Sequence, residues 1–525
     1  MAVMRNISRR RFLSMAGKGL GYSALTAAVT ACGGGGGGGD PVAPAPNPNP
    51  PVGTPDPDPP VASRIPAPST EYSVLKRTSF GVNKNALEEI NNLGISDYLA
   101  RQLDYENINA SQIENAVANL FPLADSSPPE LRPGFPDNIG EVVRDLVGAT
   151  QYRAFFSPRQ LYEVMVEFWT NHFSIQLING FEPVLKPADD AMVIRPHALG
   201  NFRDLLHASA KSSAMLYYLD NFLNTAEAPN ENYARELLEL HTLGVDGGYT
   251  EQDIKEVARC FTGWTLDFTT AEFAFVPFLH DGGDKTVLGQ LVPAGGGLSD
   301  GEAVLDLIAA HPSTARFIAS KLCRRFISDQ PSATVIDTVA QAFTASGGDI
   351  RATLAALFSS DEFLTAADSK LSRPLEFLGQ VVRSLNPQLT LPGDNGELLF
   401  GVASVLGQIP FYWPTPDGYP DQASYWGSTG GLLNRWRIAL GLSFGGFYPL
   451  TDLLGNESTT ATVVGRLADE ILMRPMAAED LQLLVDWLAD AVGLPPDAEL
   501  PAAVVPELVP IVTSLLLSSV YFQLR

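Results

Sequence analysis

Glu163, Glu167, Asn171 and His172, then Asp220, then Asn230, Arg235, Glu236, Glu239 and His241, and finally His280, Asp281 and Lys285 hold much of the chain's acid–base chemistry in one stretch of sequence. Five of its six histidines (His172, His197, His207, His241 and His280) fall there too. Carboxylates beside imidazoles are the groups that hold a divalent metal or move protons in hydrolysis. Helical geometry sorts them. At about 100° per residue, Glu163, Glu167 and Asn171 share one stripe, while His172 falls opposite Glu163, on the apolar face with Phe168. The same arithmetic places Asn232, Arg235, Glu236 and Glu239 in one polar arc and turns His241 about 200° from Glu239.

Two readings of these carboxylates compete. In one, Glu236 and Glu239 point inward and join Glu163 and Glu167 as a cluster that binds a metal or does acid–base work inside a helical body. In the other, Glu231, Arg235 and Glu239 form i,i+4 ion pairs on a polar helix face. His172 and His241 read as hydrogen-bonded core histidines or as ligands. Asp220-Asn221-Phe222-Leu223-Asn224 offers oxygen ligands for a hard cation, or caps and turns the chain. His280, Asp281 and Lys285 combine an imidazole, a carboxylate and an ammonium in one turn. They serve either as general base and substrate clamp or as a structural pair of Asp281 with Lys285.

The elements that must position these residues are helices. Leu161, Met165, Phe168 and His172 keep helical spacing after Ser157-Pro158, Asn230 can cap a helix that stops at Gly244, and Thr250 with Asp253 forms a capping box. Further helical patterns run to the C-terminus, so the fold expected is all-α. One strand-like patch, Phe273 to Phe278, suggests a short hairpin insertion. The Gly/Pro/Trp-rich stretch 408–430 is too long for an ordinary connection and reads as an ordered functional or packing loop. It divides a main helical body, 70–407, from a C-terminal helical portion, 408–525. Gly297-Leu298-Ser299-Asp300-Gly301 and Gly441-Leu442-Ser443-Phe444-Gly445 fit a nucleophile-elbow pattern in letters, but neither has the strand that must enter it. Walker, HExxH, EF-hand and paired CxxC patterns do not occur.

Ahead of the body, residues 1–31 read as an export signal. Ser8-Arg9-Arg10-Arg11-Phe12-Leu13 fits twin-arginine export, and Val29-Thr30-Ala31-Cys32 fits a lipobox that would acylate Cys32. Residues 32–69 then form a tether: seven glycines follow Cys32, and twelve prolines fall among residues 40–69. At ~3.1 Å per residue, the proline-rich part spans up to about 90 Å. An exported lipoprotein of the periplasm, outer membrane or cell surface is expected, joined to the membrane by its lipid. Cleavage before Cys32 removes five cations and no acid, taking the formal charge from −24 to −29. That acidity argues against nucleic acid and other polyanions. Cys260 and Cys323 are the remaining cysteines, either one disulfide or two free thiols.

Several segments together resemble a large bacterial family known as domain of unknown function 1800, over about Ser73 to Arg525. They are Phe168-Trp169-Thr170-Asn171-His172-Phe173, Ile194-Arg195-Pro196-His197, Tyr218-Leu219-Asp220-Asn221, the block from Asn230 to Gly244, Phe261-Thr262-Gly263-Trp264, His280-Asp281 with Lys285, Pro374-Leu375-Glu376-Phe377 and the Gly407-Gln408 loop. The resemblance implies a largely helical exported protein. It also implies a neighbouring exported partner similar in fold to sulfatases, and hence extracellular or envelope polymers as the material handled. A metal-assisted hydrolase of such polymers is one expectation. A non-catalytic binding or assembly protein accompanying the partner is the other. No particular cofactor follows, although a divalent metal would suit the carboxylates.

Overall fold

A computed structural model of the protein describes residues 65–177, 180–385, 395–445 and 448–525. Arg9, Arg10 and Cys32, with the expected signal and most of the tether, lie outside the described residues. The described chain is all-α, with two two-stranded antiparallel hairpins inserted between helices. It divides into two compact units, a larger one built chiefly from Thr70–Arg383 with 390–432 and the last two residues, and a smaller one built chiefly from Leu433–Gln523.

In the larger unit the Gln160–His172 helix is central, with Leu161, Val164, Met165 and Trp169 wholly buried. Trp169 satisfies its indole N–H on the Ala198 carbonyl at 3.0 Å, as a buried indole must. The capping box is present: Thr250 accepts from Asp253 N, and the Asp253 carboxylate accepts from Thr250 N at 2.8 Å, starting the Glu251–Cys260 helix. The Asn230 block departs from a continuous α-helix. Asn232–Glu236 is α-helical, and Leu237–Thr242 widens into a π-helix, with the Thr242 hydroxyl donating to the Leu237 carbonyl at 2.6 Å. A second π segment, Asp190–Ile194, precedes Arg195 and His197. Such bulges recur at functional sites.

Trp264–Leu266 pairs with Phe273–Phe275, which places the expected strand. The second hairpin, Lys285–Val287 with Gln290–Val292, puts Lys285 in a strand rather than a turn. Its two turn residues, Leu288 and Gly289, both have positive φ, and leucine there gives no turn signal. Cys260 and Cys323 are free and buried, and burial pushes both thiols up to about 12.

The loop expected to open the C-terminal portion belongs with the larger unit instead. Asn171 pins it there: its side-chain amide donates to the Tyr419 carbonyl at 2.9 Å, and its oxygen accepts from Tyr419 N at 2.7 Å. The smaller unit packs the helices Thr460–Leu472, Ala478–Val492 and Val505–Ser518 around Val464, Leu467, Leu488 and Val512.

Candidate functional site

The two carboxylates of the central helix are each matched by arginine. Glu163 Oε1 accepts from Arg195 Nη2 at 2.7 Å, with both side chains nearly buried. Glu167 receives a bidentate clamp from Arg373, at 3.0 and 2.7 Å. Glu236 and Glu239 sit elsewhere. Arg235 reaches Glu231, Glu239 and Glu251, so the i,i+4 pairs of the second reading are present. The four glutamates therefore do not form the expected common cluster. Among the described residues, no three of His, Cys, Asp and Glu gather as metal ligands. Asp220 is exposed at a left-handed turn, φ 59°, where its carbonyl accepts from Asn230 Nδ2. Asn230 Oδ1 in turn accepts from Asn232 N at 2.9 Å, opening the helix as a cap does.

His280 and Lys285 stay together, at 3.4 Å, while the Asp281 carboxylate turns away. Asp281 turns to Arg259, at 2.7 Å, and that pairing draws its carboxyl down to about 2. His280 and Lys285 both meet Asp300, at 3.1 and 2.6 Å, while His280 Nδ1 faces the Thr262 carbonyl at 2.8 Å. The side chains of His280, Asp300 and Lys285 are 4%, 2% and 0% exposed. Both ring nitrogens are engaged and no face is open to a substrate, so this trio ties the hairpins to the Leu298–Ala309 helix. His197 Nδ1 bonds back to the Val193 carbonyl at 2.8 Å. Ser299 and Ser443 each donate to a local carbonyl, as structural serines do.

His172 and His241 are core histidines in contact. His172 lies among Phe168, Trp169, Phe173 and Phe202, its Nε2 against the His241 carbonyl at 3.0 Å. Burial, with Lys321 nearby, holds His241 down at about 3 and His172 well below its ordinary value. Lys321 Nζ meets His172 Nδ1 at 2.9 Å.

A cleft opens beside the end of this helix. Thr150, Glu167, Thr170, Asn171, Ser174, Gln408, Trp413 and Tyr419 line it together with Leu375, Pro410 and Phe411, and its cavity is small, about 30 Å³. Trp413 packs against Tyr419 and Tyr425, with centroids 5.0 and 5.6 Å away, and its indole donates to Asp417 at 2.9 Å. Glu236 lies near enough to Asp417 and Glu239 for their charges to add to partial burial in raising its carboxyl. Gly418 permits the loop's close approach: it has φ 74°, and a Cβ there would stand 2.1 Å from the Asn171 carbonyl oxygen. Gly418→Ala is expected to destabilise the larger unit by about 1–3 kcal/mol, through the forced shift and the unfavourable φ. Thermal unfolding and faster proteolytic nicking within 408–430 would register it.

The family model described as Protein of unknown function (DUF1800) matches residues 73–524. The chain belongs to the DUF1800 family. No curated protein and no solved structure matches it. The DUF1800 match spans the cleft, the aromatic loop and the Asn230 block, whereas the expected signal and tether precede it. Within this DUF1800 body, the pairing roles of Arg195, Asp300, Lys321 and Arg373 were not foreseen from the sequence, although Arg195 and Asp300 fall in segments quoted above. The pairs Arg195–Glu163, Asp300–Lys285, Lys321–His172 and Arg373–Glu167 each join residues at least fifteen positions apart, so no local spacing marks them.

Proposed function

We propose that this DUF1800 protein is an exported, lipid-anchored binding protein of the cell envelope that holds a neutral glycan chain on the aromatic loop, over the shallow cleft beside the central helix. The observation that carries the reading is the aromatic cluster of Trp413, Tyr419 and Tyr425, with Tyr425 exposed, set beside a cleft that Thr170 and Asn171 line. Polyhydroxylated ligands use hydroxyl and amide groups as hydrogen-bond partners and stack their C–H faces on rings, and loops on rigid helices are where binding residues concentrate. The acidic surface disfavours sulfated and other polyanionic polymers. Twin-arginine export, acylation at Cys32 and a sulfatase-like partner complete the proposal, with the tether letting the body reach polymer away from the membrane.

The hydrolytic reading draws on Glu236. Its half-buried carboxyl, raised by burial and by Glu239, is the kind of group that donates a proton to a leaving oxygen. Affinity electrophoresis of the purified mature protein in gels of neutral polysaccharide and of sulfated polymer tests the binding. Retardation by a neutral polymer is expected. Trp413→Ala should weaken it about tenfold, the loss of roughly 1.4 kcal/mol of ring contact. Indifference to every neutral polymer, or unchanged binding by the variant, would sink the reading. Chain shortening that disappears in Glu236→Gln would turn it from binding to hydrolysis.

A further inference from the structure

The Thr429–Phe444 helix is apolar on two sides. Ile438, Ala439 and Leu442 turn inward and are buried, as is Arg435, whose Nη1 donates to Gln523 Oε1 at 2.8 Å. Leu433, Trp436 and Leu440 turn outward and are 44%, 46% and 50% exposed. At about 100° per residue these three share one face with Arg437, which is also exposed. A helix that is apolar all round is normally covered all round, and large apolar side chains grouped in water mark a contact surface.

Charge decides what covers it. From Gln422 to Thr451 the sequence holds no Asp or Glu, and Arg435 and Arg437 are its only charged residues, in a chain of net charge −24. Among the described residues no carboxylate forms an ion pair with Arg437. A second copy is a poor match, because two-fold pairing through this face brings two Arg437 guanidiniums together with no carboxylate on the face to pair them. An anionic lipid surface suits it: leucine and tryptophan settle at the headgroup boundary, and arginine reaches up to lipid phosphate. No described helix is long and apolar enough to cross a membrane, so the contact is a lateral one.

We infer that the Leu433, Trp436 and Leu440 face docks the smaller unit on an anionic phospholipid surface, with Arg437 against lipid phosphate. The inference rests on the proposed anchoring at Cys32 only for bringing a membrane within reach, and it is independent of glycan binding. The acidic remainder of the chain is repelled by the same lipids over a Debye length of about 10 Å at 0.1 M salt, which favours the orientation with this acid-free face toward the membrane. The tether lets the body leave the membrane, and this face lets it return.

The test is flotation of the mature chain carrying Cys32→Ser, so that no acyl chain contributes, with vesicles of phosphatidylethanolamine and phosphatidylglycerol and with vesicles of phosphatidylcholine. The protein should float with the anionic vesicles and more weakly with the zwitterionic ones. Trp436→Ser combined with Leu440→Ser should weaken anionic-vesicle binding at least tenfold, and Arg437→Glu should weaken it on the order of tenfold. Leu483→Ser removes a leucine that is 69% exposed on the Ala478–Val492 helix, whose first turn carries Glu479 and Asp480, and should change nothing. The mass of the Cys32 peptide from the unaltered mature protein reads acylation separately, so loss of the anchor and loss of the docking face are distinguishable. No flotation, flotation that survives the face variants, an equal loss in Leu483→Ser, or a concentration-dependent dimer that Trp436→Ser with Leu440→Ser dissolves would each overturn the inference.

Discussion

Arg373→Ala is expected to lower the stability of the larger unit by about 3–5 kcal/mol, the cost of removing one partner from a buried charge network. Arg373 is 2% exposed and holds two carboxylates at once: Glu167 through a bidentate fork and Glu376 through Nη2 at 3.1 Å. Its backbone N also donates to Glu376 Oε2 at 2.7 Å, just before the Pro374–Leu385 helix. Burial opposes ionisation of Glu376, but Arg525, Arg373 and Arg325 together hold its carboxyl well below the usual range. Removing Arg373 leaves Glu376 with Arg325 at 3.0 Å and Arg525 at 3.2 Å, and strips Glu167 of its clamp. Lysine should not restore the loss, since an ammonium cannot reproduce the planar fork. Denaturant midpoints for wild type, Arg373→Ala and Arg373→Lys measure it, read on the transition of the larger unit because two units need not unfold together. A shift under about 1 kcal/mol would mean the network exchanges freely with water.

This network marks the limit of what the chain's letters disclose. Local rules place the elements well: Thr250 and Asp253 form their capping box, Gly244 closes the Asn230 block with φ 81°, and the Phe273 patch is a strand. Turning His172 away from Glu163 also agrees with its burial among aromatic rings. What fails is anything decided by a distant residue. Glu167 meets an arginine 206 residues away, and Glu163 meets one 32 residues away, so their shared stripe says nothing about whether a metal or a guanidinium waits opposite. His280, Asp281 and Lys285 look like one site because they are adjacent, yet Arg259 draws the Asp281 carboxylate away while Asp300 holds His280 and Lys285 together in a buried structural pair. The π-helix in Leu237–Thr242 has no Gly or Pro to announce it, because no residue's own preference produces it. Loop 408–430 could be flagged by composition, but its role as a cleft wall depends on Asn171 and the bare backbone of Gly418.

His241→Leu is expected to reverse the usual order of mutant and wild type as the pH falls. His241 and His172 are buried and neutral in the fold, held there chiefly by burial, while in the unfolded chain each titrates near 6.5. The unfolded state therefore binds more protons below pH 6.5. The stability that the neutral rings contribute is fully present above that pH and drains away as the pH falls toward about 3 for His241. Each ring costs up to about 1.4 kcal/mol per pH unit below pH 6.5, so the two rings should cost wild type about 3 kcal/mol between pH 6.5 and 5, and a variant with one fewer ring about half that. The raised carboxyls of Glu163, Glu182, Asp190 and Glu236 act in the opposite sense as the pH falls, but they are common to both proteins and cancel in the comparison. Glu376 and Asp281 carry depressed carboxyls whose contributions fall away only at lower pH, and Lys321 changes its contribution above pH 8. Leucine suits the site because His241 Nε2 is buried without a hydrogen-bond partner, so no donor or acceptor pairing at that atom is lost. Thermal unfolding of both proteins from pH 8 to pH 5 decides the matter. His241→Leu should start at or below wild type at pH 8 and gain on it steadily below pH 6.5, whereas parallel curves would mean that His241 takes up no extra proton on unfolding.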